Sequence, residues 1–141
     1  MASPRKYGGL ITKYRYHSDG SVPNDDAIFV FGSNLAGRHG RGAALVAKRS
    51  FNAKRWVGQG RTGHAYAIPT KDADLQVLSL RAIRKHVRAF REYTKQHKEL
   101  TFFITRIGCG LAGHPDAEIA RMFRGATRRC SFPLNWKPFL E

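Results

Sequence analysis

Two apolar segments, residues 27–31 and residues 100–107, are the clearest hydrophobic features of the chain. The first is β-branched and aromatic, without the alternation of apolar and polar positions found in half-exposed strands. Continuous apolarity is typical of a strand buried on both faces, as in α/β sheets. We therefore predict that both segments are strands of an α/β domain.

Each predicted strand leads into a glycine-rich segment and then a helix. Residues 32–42 precede a predicted helix at residues 43–49, and residues 108–114 precede a helix whose first turn contains Pro115 and two acidic residues. Proline and acidic side chains suit the first turn of a helix. Glycines let the backbone approach a ligand, and free N–H groups at a helix N-terminus attract phosphate. The sequence thus predicts two anion-binding loops at the carboxyl ends of strands.

Two more elements are predicted between these units. Residues 66–68 indicate a short strand that ends at Pro69. Residues 74–97 indicate a long helix, because apolar residues recur there at spacings of three and four. We interpret the basic residues on its other faces as solvated surface rather than as a nucleic-acid groove.

The chain is predicted to form a single domain over residues 1–141, because its length and its 42% hydrophobic content suit one core. Residues 1–25 are expected to be an N-terminal extension or edge strand; within them, residues 12–17 alternate basic and aromatic side chains and suit an edge strand or a phosphate-contacting arm. Residues 131–141 are expected to pack as a C-terminal cap or a short strand.

Charge and composition restrict the function further. The net charge of +15 predicts an electropositive surface that attracts phosphates, including those of DNA or RNA. No apolar run approaches the roughly 20 residues that span a bilayer, and we expect no membrane partner. The two cysteines and the scattered histidines fit neither a disulfide scaffold nor a zinc site. We expect no metal or cofactor, and a reducing cytoplasm as the setting.

Neither glycine-rich segment is a common nucleotide-binding motif. Gly108, Gly110 and Gly113 fit the pattern Gly-x-Gly-x-x-Gly, but no acidic residue ends a following strand about 20 residues later. The chain also has no Gly-Lys-Ser/Thr triplet, which excludes a P-loop.

The two loops resemble the ligand loops of macro domains. Residues 26–28 leading to Gly-Ser-Asn at 32–34 are similar to the first loop, and Ile-Thr-Arg-Ile-Gly-Cys-Gly-Leu at 104–111 is similar to the second, phosphate-holding loop. The resemblance covers residues 26–125. It is nearest to terminal ADP-ribose glycohydrolases and to antitoxins that remove ADP-ribose from DNA, and such compact proteins are frequent in bacteriophages. It implies a three-layer α/β/α fold with a mixed, mostly parallel sheet and an ADP-ribose cleft.

The resemblance also implies a set of ligand-binding residues. Asn34 would hydrogen-bond a ribose hydroxyl, Gly40 and Gly42 would pass beside the diphosphate, and the second loop would wrap the phosphates with backbone N–H groups. The whole implied set is Gly32, Ser33, Asn34, Leu35, Gly40, Gly42, Ala43, Thr70, Gly108, Cys109, Gly110, Leu111, Ala112 and Gly113.

For catalysis, the resemblance implies a lysine that attacks the anomeric carbon of the ribose, assisted by an acidic residue in the second loop. Lys71 is at the position of that lysine, and Asn34 would orient the ribose. The acidic position is Ala112 here, which departs from the pattern. Asp72 and Asp116 are the alternative acids.

Several of these residues also have a structural interpretation. Asn34 suits a tight turn, and Lys71 suits an ion pair with Asp72 or a phosphate. Cys109 is more typical of a small buried residue than of a thiol nucleophile. His39 and His114 suit general acids in the ligand loops, although plain loop histidines are commoner. Trp56 and Tyr66 suit stacking on an adenine, but core packing is the default expectation for both.

Three function classes follow. The first is a hydrolase of an ADP-ribosyl linkage on nucleic acid or protein. The second is a non-catalytic binder of an NAD-derived nucleotide, which Ala112 favours. The third is a basic nucleic-acid-binding module, although the chain has no helix-turn-helix, zinc-finger or RRM motif.

Overall fold

A computed structural model describes residues 6–7 and 10–141 of the chain. The predicted N-terminal extension lies partly outside the described residues, at positions 1–5 and 8–9. Two short antiparallel strands, β1 (Lys6–Tyr7) and β2 (Leu10–Ile11), begin the described part. The other strands are β3 (Arg15–His17), β4 (Ile28–Asn34), β5 (Gly60–Thr62), β6 (Ala65–Lys71), β7 (Phe102–Ile104) and β8 (Cys130–Pro133). The helices are α1 (Gly42–Ser50), α2 (Leu80–Gln96), α3 (Asp116–Arg121) and α4 (Lys137–Leu140), with a 3-10 turn at Leu134–Trp136.

Strands β3 to β8 form one sheet in the order β3-β8-β7-β4-β6-β5. All neighbours pair in parallel except β5, which runs antiparallel to β6 at one edge. The opposite edge is β3. The predicted mixed, mostly parallel sheet of an α/β fold is confirmed.

Helices cover both faces of this sheet. Residues 28–31 of β4 are therefore all apolar, because neighbouring positions point to opposite faces. Ile28 and Val30 point into a core that also contains buried residues of α2, α3 and the 3-10 turn. Phe29 and Phe31 point the other way, into a smaller core with Ala44 and Ala47 of α1. The result is three layers, with α1 on one side of the sheet and the other helices on the opposite side.

The strands differ from their predicted bounds. β4 does not end at residue 31: it continues through Gly32 and Ser33 to Asn34, so the start of the predicted first loop is strand. The expectation that Pro69 ends its strand is wrong, because β6 runs through it to Lys71. Proline has no N–H to donate to a neighbouring strand. It is tolerated at position 69 because β5 pairs with β6 only as far as Ala67, so no hydrogen bond to β5 is required there.

The helices also differ from their predicted bounds. α2 begins at Leu80 rather than at residue 74, since the Ser79 side chain accepts a hydrogen bond from Ala82 N–H and caps the helix. The preceding residues form a turn in which Asp72 Oδ1 accepts from the N–H groups of Asp74 and Gln76. Pro115 is the N-cap of α3 rather than part of its first turn. No helix in the described part of the chain is long and apolar enough to cross a bilayer.

Candidate functional site

A cavity of about 890 Å³ lies at the carboxyl ends of β4, β6 and β7. The predicted site residues that line it are Gly32, Ser33, Asn34, Gly40, Gly42, Ala43, Thr70, Lys71, Gly108, Gly110, Leu111 and Ala112. Leu35, Cys109 and Gly113 are outside its lining. The two predicted loops therefore share one hollow.

The first loop is fixed by its own polar side chains. The Ser33 hydroxyl donates to the Gly58 carbonyl. The Asn34 amide donates to the Arg38 carbonyl at 2.8 Å and accepts from Arg38 N–H at 3.0 Å, which closes a turn over residues 34–38. Asn34 is buried, with 7% of its surface exposed. Asn34 thus holds the turn, as its structural interpretation predicts, and the residue also lines the cavity.

The first loop ends at the uncapped N-terminus of α1. Arg41 is the N-cap residue in an extended conformation, and no side chain caps the helix. The first N–H groups of an α-helix have no partner within the helix, so Ala43 and Ala44, which line the cavity, present donors there. Gly42 has φ +55°, and a Cβ at Gly42 would lie 3.9 Å from Leu111 Cδ1. The second loop therefore approaches the start of α1 across the cavity.

The second loop is packed at its base and open at its tip. Gly108 has φ +74°, and a Cβ there would be 3.2 Å from Ile119 Cδ1 of α3. A Cβ at Gly110 would meet no atom within 4 Å. Glycine is thus required at Gly108 by backbone conformation and close packing, whereas Gly110 faces open space.

Lys71 lies at the end of β6, where it is in register with Asn34 of β4. Its carbonyl accepts from Leu35 N–H at 3.0 Å, and the residue lines the cavity. No ion pair of Lys71 occurs among the described residues. Asp72 does not pair with it, because the Asp72 carboxylate closes the turn that follows.

The acidic residues near the second loop are committed elsewhere. Asp116 accepts two hydrogen bonds from Arg106, at 2.7 and 2.5 Å, and one from Trp136 Nε1 at 2.8 Å. These contacts, with Arg106 the largest cause, hold the pKa of the Asp116 carboxyl below its usual value. Asp116 does not line the cavity, whereas Arg106 does.

Sequence reasoning missed a wall of the cavity formed by His17, Asp19, Phe103 and Arg106. The His17 ring stacks on Phe103 with a centroid distance of 3.7 Å. Its Nδ1 is 2.7 Å from Ser131 Oγ, and its Nε2 is 2.8 Å from the Ile104 carbonyl oxygen. Burial lowers the pKa of His17 to about 4. The alternation at residues 12–17 was the only available signal, and it pointed to an edge strand or arm without singling out His17.

The other histidine and cysteine candidates lie beside the cavity rather than in its wall. His39 is buried with its Nε2 3.0 Å from the Lys54 carbonyl oxygen, and His114 Nε2 is 2.9 Å from the Leu78 carbonyl oxygen. The Cys109 thiol donates to the Ile107 carbonyl at 3.4 Å. Burial is the largest cause that raises the pKa of Cys109 to about 12. These groups are engaged with backbone carbonyls.

The two aromatic candidates have opposite environments. Tyr66 is 4% exposed and belongs to the core, as expected. The expectation that Trp56 packs in the core is wrong, because 61% of its surface is exposed. The described residues contain no group of three or more His, Cys, Asp or Glu side chains placed to hold a metal ion.

The sequence matches no protein-family model and no curated protein. Solved structures with related folds include a protein of unknown function from Bacteroides thetaiotaomicron, with a TM-score of 0.58 and 17% identity over 85% of this chain and 96% of that one. Another is DarTG of Thermosipho africanus in complex with ADP-ribose, with a TM-score of 0.54 and 14% identity over 77% of this chain. The match spans 39% of the DarTG chain. Together with the sheet order, these likenesses show a macro-like α/β fold.

Proposed function

We propose that the cavity binds ADP-ribose or a closely related NAD-derived nucleotide. The observation that carries the proposal is the meeting of two glycine-rich loops at the uncapped N-terminus of α1. A helix N-terminus with free N–H groups favours a phosphate, and a second set of N–H groups opposite it suits a diphosphate. The ADP-ribose held by the similarly folded DarTG supports this choice of ligand.

The dimensions and charge of the cavity support the same ligand. A volume of about 890 Å³ is within the usual range for small-molecule sites. Arg38 and Arg41 line it on the side of the first loop, where they favour a doubly charged diphosphate. Phe103 and His17 provide a flat, uncharged surface at another wall, which suits a base or sugar face.

The proposed reaction is hydrolysis of an ADP-ribosyl linkage on nucleic acid or protein. Lys71 is the candidate nucleophile: its amine would form a bond to the anomeric carbon while the bond to the modified target breaks and its electron pair leaves with the target. Water would then release ADP-ribose and restore the amine. Asn34, in register with Lys71, would orient the ribose with the hydrogen-bonding capacity that its turn leaves free.

A non-catalytic binder is the second candidate, and one observation favours it. The second loop presents Ala112 to the cavity where an acid would be expected, and Asp116 is committed to Arg106 and Trp136. Among the described residues that line the cavity, Asp19 is the one carboxylate that could act as a general acid or base. It lies 3.5 Å from Arg106.

Calorimetric titration with ADP-ribose tests the binding proposal. Ala43→Asp places a carboxylate in the first turn of α1, where it favours the helix but repels a diphosphate. We expect saturable heat with the unchanged chain and loss of that heat in Ala43→Asp. Ala82→Asp adds the same charge to the first turn of α2, outside the cavity lining, and should still bind. Absence of heat from the unchanged chain at millimolar ADP-ribose would overturn the proposal.

Release of ADP-ribose from modified DNA and modified protein separates hydrolase from binder. We expect Lys71→Ala to lower turnover at least about 100-fold, with a change in Kd below about tenfold. Lys98→Ala removes an equal charge from an exposed position outside the cavity lining and is the control. Nucleotide binding without any release would select the binder.

A further inference from the structure

Residues 27–71 carry more basic residues than the proposed nucleotide site uses, since only Arg38, Arg41 and Lys71 of this segment line the cavity. The segment contains eight basic residues and no aspartate or glutamate. All of these basic side chains except Lys71 are exposed: Arg38, Arg41, Lys48, Arg49, Lys54, Arg55 and Arg61. No acid alternates with these cations along the segment, so the segment is uniformly electropositive and attracts a polyanion.

Trp56 is an exposed aromatic residue in the same segment. It is 61% exposed, whereas Trp136 is fully buried. The Arg55 guanidinium carbon lies 4.4 Å from the centre of the Trp56 ring. A solvent-exposed indole beside an arginine combines an aromatic stacking face with a cation at one place.

The backbone of Trp56 is fixed in an unusual conformation. Its φ is +73°, in the left-handed region that non-glycine residues seldom adopt. Trp56 N–H donates to the Gly37 carbonyl at 2.8 Å, and a Cβ on Gly37 would collide with the backbone of Trp56 and Val57. The close approach of the two segments holds the indole outward, and strain of this kind is concentrated at functional positions.

The exposed indole is connected to the cavity by short links. Gly58, two residues after Trp56, accepts the hydrogen bond of Ser33 in the cavity wall. Gly37, which contacts Trp56, lies in the turn closed by Asn34 and Arg38. Trp56 is thus connected through backbone contacts to the turn that carries Asn34.

We propose that Trp56 and Arg55 form a base-stacking seat for single-stranded nucleic acid, whose phosphates follow the exposed cations of residues 27–71. Stacking requires an unpaired base face, which a duplex does not offer, and uninterrupted positive charge complements a phosphate backbone. The inference goes beyond the proposed function by naming the macromolecule that would carry an ADP-ribosyl group to the cavity. It rests on the proposed function in this respect, whereas the seat itself, Trp56 and Arg55, is outside the cavity lining.

Fluorescence anisotropy with a labelled, unmodified single-stranded oligothymidine tests this seat on the full chain. We expect Trp56→Ala to weaken binding by roughly 5- to 150-fold, the range of one lost base–aromatic stack. Trp56→Phe keeps an aromatic face and should recover most of the affinity. Arg55→Ala should weaken binding more than Arg84→Ala, which removes an equal charge from an exposed position on α2. Thermal melting confirms that each variant is folded.

Three results would overturn the proposal of a base-stacking seat. The first is equal affinity of Trp56→Ala and the unchanged chain for the oligonucleotide. The second is preference for a duplex of the same length. The third is binding of polyglutamate as tight as that of the oligonucleotide. If salt abolished this binding and Trp56→Ala left it unchanged, the segment would be a surface for acidic proteins. Because no ADP-ribose is used, these results stand apart from the calorimetric test of the cavity.

Discussion

Arg106 and Asp116 form a two-point ion pair that ties the second loop to α3. Arg106 Nε–H donates to Asp116 Oδ1 at 2.7 Å, and Nη2–H donates to Oδ2 at 2.5 Å. The Oδ1 atom also accepts from Trp136 at 2.8 Å, so the pair also contacts the 3-10 turn at Leu134–Trp136. Since Arg106 lines the cavity and Asp116 does not, the carboxylate serves to position a cavity residue.

We expect Asp116→Asn to lower the free energy of unfolding by about 1–3 kcal/mol at pH 7, because it weakens charge-assisted hydrogen bonds in a partly buried place. Urea denaturation measures the change. Glu118→Gln in the same helix is the control. Its ion pair with Arg121 is 4.0 Å long and exposed, so its loss should cost less than about 1 kcal/mol.

The pH dependence of this difference has a defined sign. The pKa of Asp116 in the folded protein lies below its usual value of 3.8. Its stabilising contribution is therefore fully present above pH 3.8 and is lost as the pH falls through the lower folded-state value. The difference between the unchanged chain and Asp116→Asn should shrink below pH 3.8; a constant difference would contradict the ionised pair.

His17 is expected to stay neutral in the folded protein until the pH approaches 4. Burial lowers its pKa from 6.5 to about 4, so between these values the unfolded chain binds a proton that the folded chain does not. Stability should thus fall as the pH drops from 6.5 towards 4, by up to about 3 kcal/mol. His17→Phe, which retains a ring against Phe103, should remove this slope. An NMR titration that showed imidazole protonation near pH 6.5 would refute the prediction.

Gly37 and Gly40 lie in the same loop and should respond differently to alanine. Gly37 has φ +71°, and a Cβ there would collide with the backbone of Trp56. We expect Gly37→Ala to cost about 2 kcal/mol or more in unfolding free energy. Gly40 has open space around its Cβ position, so Gly40→Ala should change stability by less than about 1 kcal/mol. Similar melting temperatures for both variants would contradict the close approach.

Neither cysteine is expected to react with a thiol reagent at pH 8 in the native protein. Burial raises the pKa of both Cys109 and Cys130 to about 12, and the thiolate is the reactive form. Ellman's reagent should react with the two thiols only after the protein has been unfolded in denaturant. Rapid labelling of Cys109 in the folded chain would reopen its candidacy as a nucleophile, and Cys109→Ser should leave any turnover intact.

Local features of the sequence were sufficient to predict strands at the places of β4 and β7 and the two glycine-rich loops that follow them. The apolar run at residues 27–31 predicted a doubly buried strand because each position must be apolar when helices cover both faces. The glycines predicted close approach, and Gly42 and Gly108 indeed adopt positive φ at the cavity. Strand burial and glycine conformation depend on a few neighbouring residues, so both can be predicted from the local sequence.

Tertiary structure alone decided which distant residues complete the cavity. His17 and Phe103 stack because parallel pairing brings β3, β8 and β7 side by side, and the sequence contains no marker of that strand order. Pro69 lies within β6 because β5 is short, and the backbone of Trp56 is fixed by its close approach to Gly37, a residue distant in sequence. Periodicity and glycine content are local quantities, whereas contacts between residues far apart depend on how the layers pack.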